Sequence, residues 1–95
     1  MNKYILLYTM SSCPFCQEMK DLLQEADIDY YERDVDTYKE EYNQFVELTG
    51  NDYLPSFSLL TLNKNKEVEK YEYMVPDESF QSLDEAVEKL RNYIL

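Results

Sequence analysis

The chain has 95 residues, 44% of them hydrophobic and 15% aromatic, which is enough for one modest core and is unlike the composition of a disordered segment. Twenty acidic residues against nine basic ones leave a formal charge of −11. A surface of that sign repels nucleic-acid phosphates and anionic membranes, keeps the protein soluble and favours basic partners.

Residues 4–8 (Tyr-Ile-Leu-Leu-Tyr) are apolar but too few for a signal-peptide core, and no run approaches the roughly 18 apolar residues of a membrane helix. With no export signal, the expected compartment is the cytoplasm. In a reducing compartment a lone, close-spaced cysteine pair is more often catalytic or metal-binding than structural. No repeat, low-complexity tract or linker interrupts the chain, so residues 1–95 read as a single domain.

Residues 3–9 show little alternation, the pattern of a strand buried on both faces. Ser11 and Ser12 break that run, and Pro14 stands where a helix opens and its missing N–H costs nothing. From Phe15 onward, Met19, Leu22, Leu23 and Ala26 are spaced for one helical face. Asp27-Ile28-Asp29 ends the helix and leads to a second strand near residues 30–35. A second helix is predicted over residues 37–49, with Tyr38, Tyr42, Phe45, Val46 and Thr49 inward and Gly50 where a left-handed cap is wanted.

Phe57–Leu62 reads as a third strand, and Asn63-Lys64-Asn65-Lys66 as a hairpin turn into a fourth, Glu67–Tyr73. Ser82 and Glu85 form a capping-box pattern opening a last helix, with Leu83, Ala86, Val87, Leu90 and Ile94 on its inner face. The order is therefore βαβαββα. The expected fold is α/β, a four-stranded mixed sheet with helices on both faces.

The chemistry concentrates in Cys13-Pro14-Phe15-Cys16. Cys13 follows a strand and stands at a helix N-terminus, where unpaired N–H groups and the helix dipole favour a thiolate. Cys16 is one turn on, near enough to attack a mixed disulfide formed on Cys13. The pair thus describes a two-step exchange with Cys13 as nucleophile and Cys16 as resolving thiol. Pro14 and Phe15 limit the loop and shield one side of the site.

Other uses of this spacing fit less well. A structural zinc site needs four ligands, and the chain has two cysteines and no histidine, so no metal site is expected within one chain. Covalent haem attachment needs histidine where Gln17 stands. An inert buried pair does not call for proline and phenylalanine at a helix opening. Without histidine, activation falls to the helix end, backbone donors and Lys20, which is equally a solvated surface cation. Glu18 and Asp21 act against it if they face the site. Pro55, taken alone, is a strand-initiating proline.

Tyr8-Thr9-Met10-Ser11-Ser12-Cys13-Pro14-Phe15-Cys16 with Lys20 and Leu22-Leu23 resembles the active site and first helix of the dithiol glutaredoxins. Tyr31-Glu32-Arg33-Asp34-Val35-Asp36 resembles that family's second strand and acidic turn, and Leu48-Thr49-Gly50 with Leu54-Pro55 its second-helix end and cis-proline turn. The resemblance covers residues 3–73 and implies a thioredoxin-like fold and reduction of protein or glutathione mixed disulfides. It also implies that Pro55 is cis, and that the Leu54 backbone pairs with substrate as a short strand does. No bound cofactor is implied, only glutathione as a possible reductant. Tyr8, Tyr53 and Tyr73 are groove candidates, with Tyr53 foremost because it directly precedes Leu54-Pro55.

Three departures bear on the reductant. Met10 stands where the family usually has lysine, Asn51 and Asp52 stand where it often has glutamine or arginine, and Met74-Val75-Pro76-Asp77-Glu78 replaces its Gly-Gly pair. Asp77 or Glu78 remains available for an amino group of glutathione, or serves only the turn. A flavin-dependent reductase, thioredoxin reductase, is therefore the alternative source of electrons. The expected partners are disulfide-containing proteins and one of these reductants, with the chain a monomer. A third reading, of another class, is a non-catalytic module: a metal carrier, an iron–sulfur site shared by two chains, or an acidic protein that covers basic surfaces. Pro14 beside Cys13 disfavours the cluster by family likeness.

Overall fold

A computed structural model describes residues 2–95. Its elements are β1 (Asn2–Thr9), α1 (Pro14–Glu25), β2 (Tyr31–Asp34), α2 (Lys39–Thr49), β3 (Ser56–Leu62), β4 (Val68–Met74) and α3 (Leu83–Ile94). This is the βαβαββα order expected. The four strands form one mixed sheet in the order β2-β1-β3-β4, with β1 parallel to β2, antiparallel to β3, and β3 antiparallel to β4. The helical crossover makes the first pair parallel, and the short Asn63–Lys66 turn makes the last pair antiparallel. In that turn Asn63 Oδ1 accepts from the N–H groups of Asn65 and Glu67, at 2.9 and 3.1 Å.

β1 is central and feeds both faces. Ile5 and Leu7 join Phe57 and Leu59 beneath α1 and α3, where Met19, Leu23, Ala86 and Leu90 complete the larger core. Tyr8 points to the opposite face, where it meets Phe45 of α2 and Val75 in a smaller cluster. Helices thus cover both faces, as the unbroken apolar run of β1 requires.

Helix ends follow local chemistry. Gly50 caps α2 in the left-handed region at φ 70°, and its N–H donates to Val46 O at 2.8 Å. Ser82 Oγ accepts from Glu85 N–H at 3.1 Å, but Glu85 Oε1 reaches back to the N–H of Gln81, one residue beyond the predicted box. Two inner-face expectations are corrected. Tyr38 precedes α2 and lies on the surface over the Arg33 guanidinium, 4.6 Å from ring centroid to Cζ. Ile94 is exposed in the last turn of α3, whereas Leu90, one turn earlier, is fully buried in the larger core.

Candidate active site

β1 ends at Thr9, and the chain turns so that the Cys13 N–H donates to Met10 O at 3.1 Å. Cys13 is the N-cap of α1, with extended backbone, and Pro14 takes the first helical position. Its Sγ accepts the Cys16 N–H at 3.2 Å, filling the role that a serine or aspartate oxygen fills at other helix starts. The helix end therefore delivers both a dipole and a directed donor to this one sulfur. Cys13 and Cys16 are joined as a disulfide across a Cα–Cα distance of 5.2 Å, inside the ordinary range of about 4.4–6.8 Å. Cys13 is partly exposed, whereas Cys16 is 1% exposed. The asymmetry gives one sulfur access to an incoming disulfide and hides the other.

A cavity of about 260 Å³ lies against the two sulfurs, lined also by Met10, Lys20, Glu32 and Asp34. Glu32 arrives here by strand register. The parallel pairing sets Leu7 beside Glu32 and Thr9 beside Asp34, and alternation turns Glu32 to the α1 side while Arg33 turns to α2. Glu32 Oε2 accepts from the buried Thr9 hydroxyl at 2.7 Å and from Lys20 Nζ at 3.1 Å. The Thr9 hydrogen bond, opposed by partial burial and aided by Lys20, holds the Glu32 carboxyl below its usual range. Lys20 is thus neither free surface cation nor dedicated thiolate partner: it reaches the cavity already paired.

On the other side lies an open groove of about 750 Å³, running from Phe15 on α1 past Tyr53-Leu54-Pro55 to Pro76-Asp77 and the start of α3. The Leu54–Pro55 bond is cis, as the family likeness implied. Pro55 is buried, whereas Phe15 and Tyr53 are 62% and 63% exposed. Asp77 occupies the left-handed region at φ 67°, which aspartate tolerates better than most residues, and its N–H donates to Phe80 O at 3.0 Å. A turn that suits glycine is thereby kept with a side chain present.

Of the tyrosine candidates only Tyr53 lines the groove. Tyr8 is buried on the α2 face with its hydroxyl 3.0 Å from Ser58 Oγ, and Tyr73 stands edge-on to Phe45. Asp52 also lies outside the groove lining. The residues that sequence reasoning passed over are Thr9, Glu32 and Asp84. Strand alternation would have aligned Glu32 with Asp34, and an acid in the first turn of α3 was visible at Asp84.

A thioredoxin-like sheet bearing a Cys-x-x-Cys disulfide at the junction of its central strand and first helix defines the thioredoxin-like class. Solved structures agree in fold: a thioredoxin-like protein (TM-score 0.57, 18% identity, 96% of this chain and 99% of that one) and a thioredoxin from Thermus thermophilus (TM-score 0.57, 18% identity, 99% and 75%). Within that class, residues 5–57, more than half of the chain, match the glutaredoxin family model, and the chain belongs to the glutaredoxin family. Proteins called glutaredoxin 1 from Rickettsia felis and Rickettsia conorii are each 40% identical over 55 residues, 53% of this chain and 54% of theirs. The chain thus aligns with about half the length of these curated relatives. Among the described residues, no helix is long and apolar enough to cross a membrane.

Proposed function

We propose that the chain is a dithiol oxidoreductase of glutaredoxin type that reduces protein or glutathione mixed disulfides. The observation that carries this reading is Cys13: a partly exposed sulfur, N-capping α1, bonded to a buried partner one turn on. In the reduced form the Cys13 thiolate attacks one sulfur of a substrate disulfide. The substrate S–S bond breaks, one substrate thiolate leaves and takes a proton, and a mixed disulfide forms on Cys13. The Cys16 thiolate then attacks the Cys13 sulfur, expels the second substrate thiolate, and leaves the Cys13–Cys16 disulfide. Two electrons have passed from the dithiol to the substrate.

Pro14 and Phe15 shape the approach to Cys13. Tyr53, Leu54 and Pro55 form the wall along which the substrate chain lies. Among the described residues neither the N–H nor the C=O of Leu54 has a hydrogen-bond partner, which supports strand-like pairing with substrate. Asp77 takes an amino group at the far end of the groove. We place this activity in a cytoplasmic monomer.

The oxidised protein is recharged by two electrons, from two glutathione thiols or from the dithiol of a flavin-dependent reductase. One observation favours the reductase: among the described residues no lysine or arginine lines the groove, so glutathione carboxylates find no cation there. Turnover with glutathione and glutathione reductase, set beside turnover with thioredoxin reductase, separates the two. Cys13→Ser should abolish disulfide reduction with either donor, and full activity in that variant would overturn the proposal.

A further inference from the structure

The groove that begins at Phe15, the residue before Cys16, takes acidic side chains from three parts of the chain. Glu18 reaches it from α1, Asp77 from the turn after β4, and Asp84 from the first turn of α3. Among the described residues none of the three is in an ion pair, and no cation lines the groove. The N-terminus of α3 opens here too, but Ser82 satisfies the Glu85 N–H, and Asp84 and Glu85 in the first turn offset its positive end. Among the described residues, no side-chain cation draws an anion into the groove. Phe15 and Tyr53 present exposed aromatic rings in the same groove lining as these carboxylates, a surface on which the methylene stem of lysine or the plane of arginine packs.

We propose that the groove selects disulfide-bearing protein segments with a lysine or arginine beside the reacting cysteine, and that Glu18, Asp77 and Asp84 set this preference. The inference rests on the disulfide-reductase reading and names the substrate class that reading leaves open. The basic side chain lies over Phe15 or Tyr53 with its charge toward the carboxylates. Two or three such exposed pairs support a preference of roughly tenfold at low salt. The preference is electrostatic, so it fades as the screening length shrinks from about 10 Å at 0.1 M salt to about 3 Å at 1 M.

The test uses pre-reduced protein in single turnover, so that no reductase enters. The substrates are short peptides whose one cysteine is blocked by 2-mercaptoethanol, identical except for two lysines or two glutamates beside it. The lysine peptide should react about tenfold faster, and the rates should converge near 1 M salt. Combined Glu18→Gln, Asp77→Asn and Asp84→Asn should remove most of the difference; Glu18→Gln alone should reduce it. Glu40→Gln, Glu47→Gln and Glu69→Gln, an equal change of charge away from the groove, should keep it. Equal rates in the native protein, faster reaction of the glutamate peptide, or loss of the preference in the distant variant instead of the groove variants would each overturn the inference. Failure to react with either peptide would instead overturn the reductase reading on which it rests.

Discussion

Lys20 and Glu32 meet at the edge of the cavity that holds the two sulfurs, Nζ to Oε2 at 3.1 Å, with Thr9 donating to the same carboxylate oxygen. A cation one turn beyond a reactive cysteine pair is thereby neutralised by a neighbouring strand. The positive influence on Cys13 comes from the helix end, which has no such counter-charge in its first turn.

That arrangement makes Thr9 a pH-dependent contributor to stability. Glu32 has a lowered folded-state pKa, so its contribution is present above the unfolded value of 4.5 and is lost as pH falls through the folded value. Thr9→Val should cost about 0.5–1 kcal/mol at pH 7, held small because the Glu32 side chain is 39% exposed. Urea midpoints of the two proteins should converge as pH falls below 4.5 and through the lowered folded-state value. A difference that stays constant over pH 3–7 would show that Thr9 acts through packing alone.

Cys13 and Cys16 should differ sharply toward an alkylating agent. In the reduced protein, iodoacetamide should label Cys13 first and label it at pH values below the free-thiol range near 8.5, because the Cys16 N–H and the α1 dipole favour its thiolate. Cys16, 1% exposed, should react at least about tenfold more slowly, as peptide mass spectrometry would read. Cys16→Ser should accumulate a mixed disulfide on Cys13.

The tyrosine network on the α2 face predicts an alkaline limit. The Tyr8 hydroxyl is 3.0 Å from Ser58 Oγ, which is 2.9 Å from the Tyr71 hydroxyl, and burial pushes both phenols above the ordinary value of 10.0. Raised folded-state values mean stability that is present below pH 10 and lost as pH climbs from there toward the folded values. Tyr8→Phe should cost about 1 kcal/mol at pH 7 through the lost hydrogen bond. Its stability should also fall less steeply between pH 10 and 11, a comparison that urea titrations at both pH values provide.

Gly50→Ala isolates backbone conformation from packing. An added Cβ at this position meets nothing within 4 Å, yet φ is +70°. The variant should lose roughly 1 kcal/mol, and Gly50→Asn less, because asparagine visits the left-handed region more readily. Equal stability of alanine and glycine here would mean that α2 ends differently.

Local chemistry alone fixed much of this protein. A helix start at Pro14, a left-handed cap at Gly50, the Asn63–Lys66 turn and the Ser82 cap each depend on groups within four residues, so they can be read along the chain. The cysteine pair is of the same kind, because its spacing and its helix end are neighbours in sequence. What only the tertiary structure decided are juxtapositions across strands and layers. Tyr8 and Tyr73 were turned from the groove to the α2 face by strand alternation around one sheet, and Glu32 was brought to the sulfurs by parallel register with β1. The acidic groove gathers Phe15, Glu18, Tyr53, Asp77 and Asp84 from across the chain. No pairwise spacing encodes that meeting; it follows from how α1 and α3 pack on one face of the sheet, a choice made by the burial of the whole core.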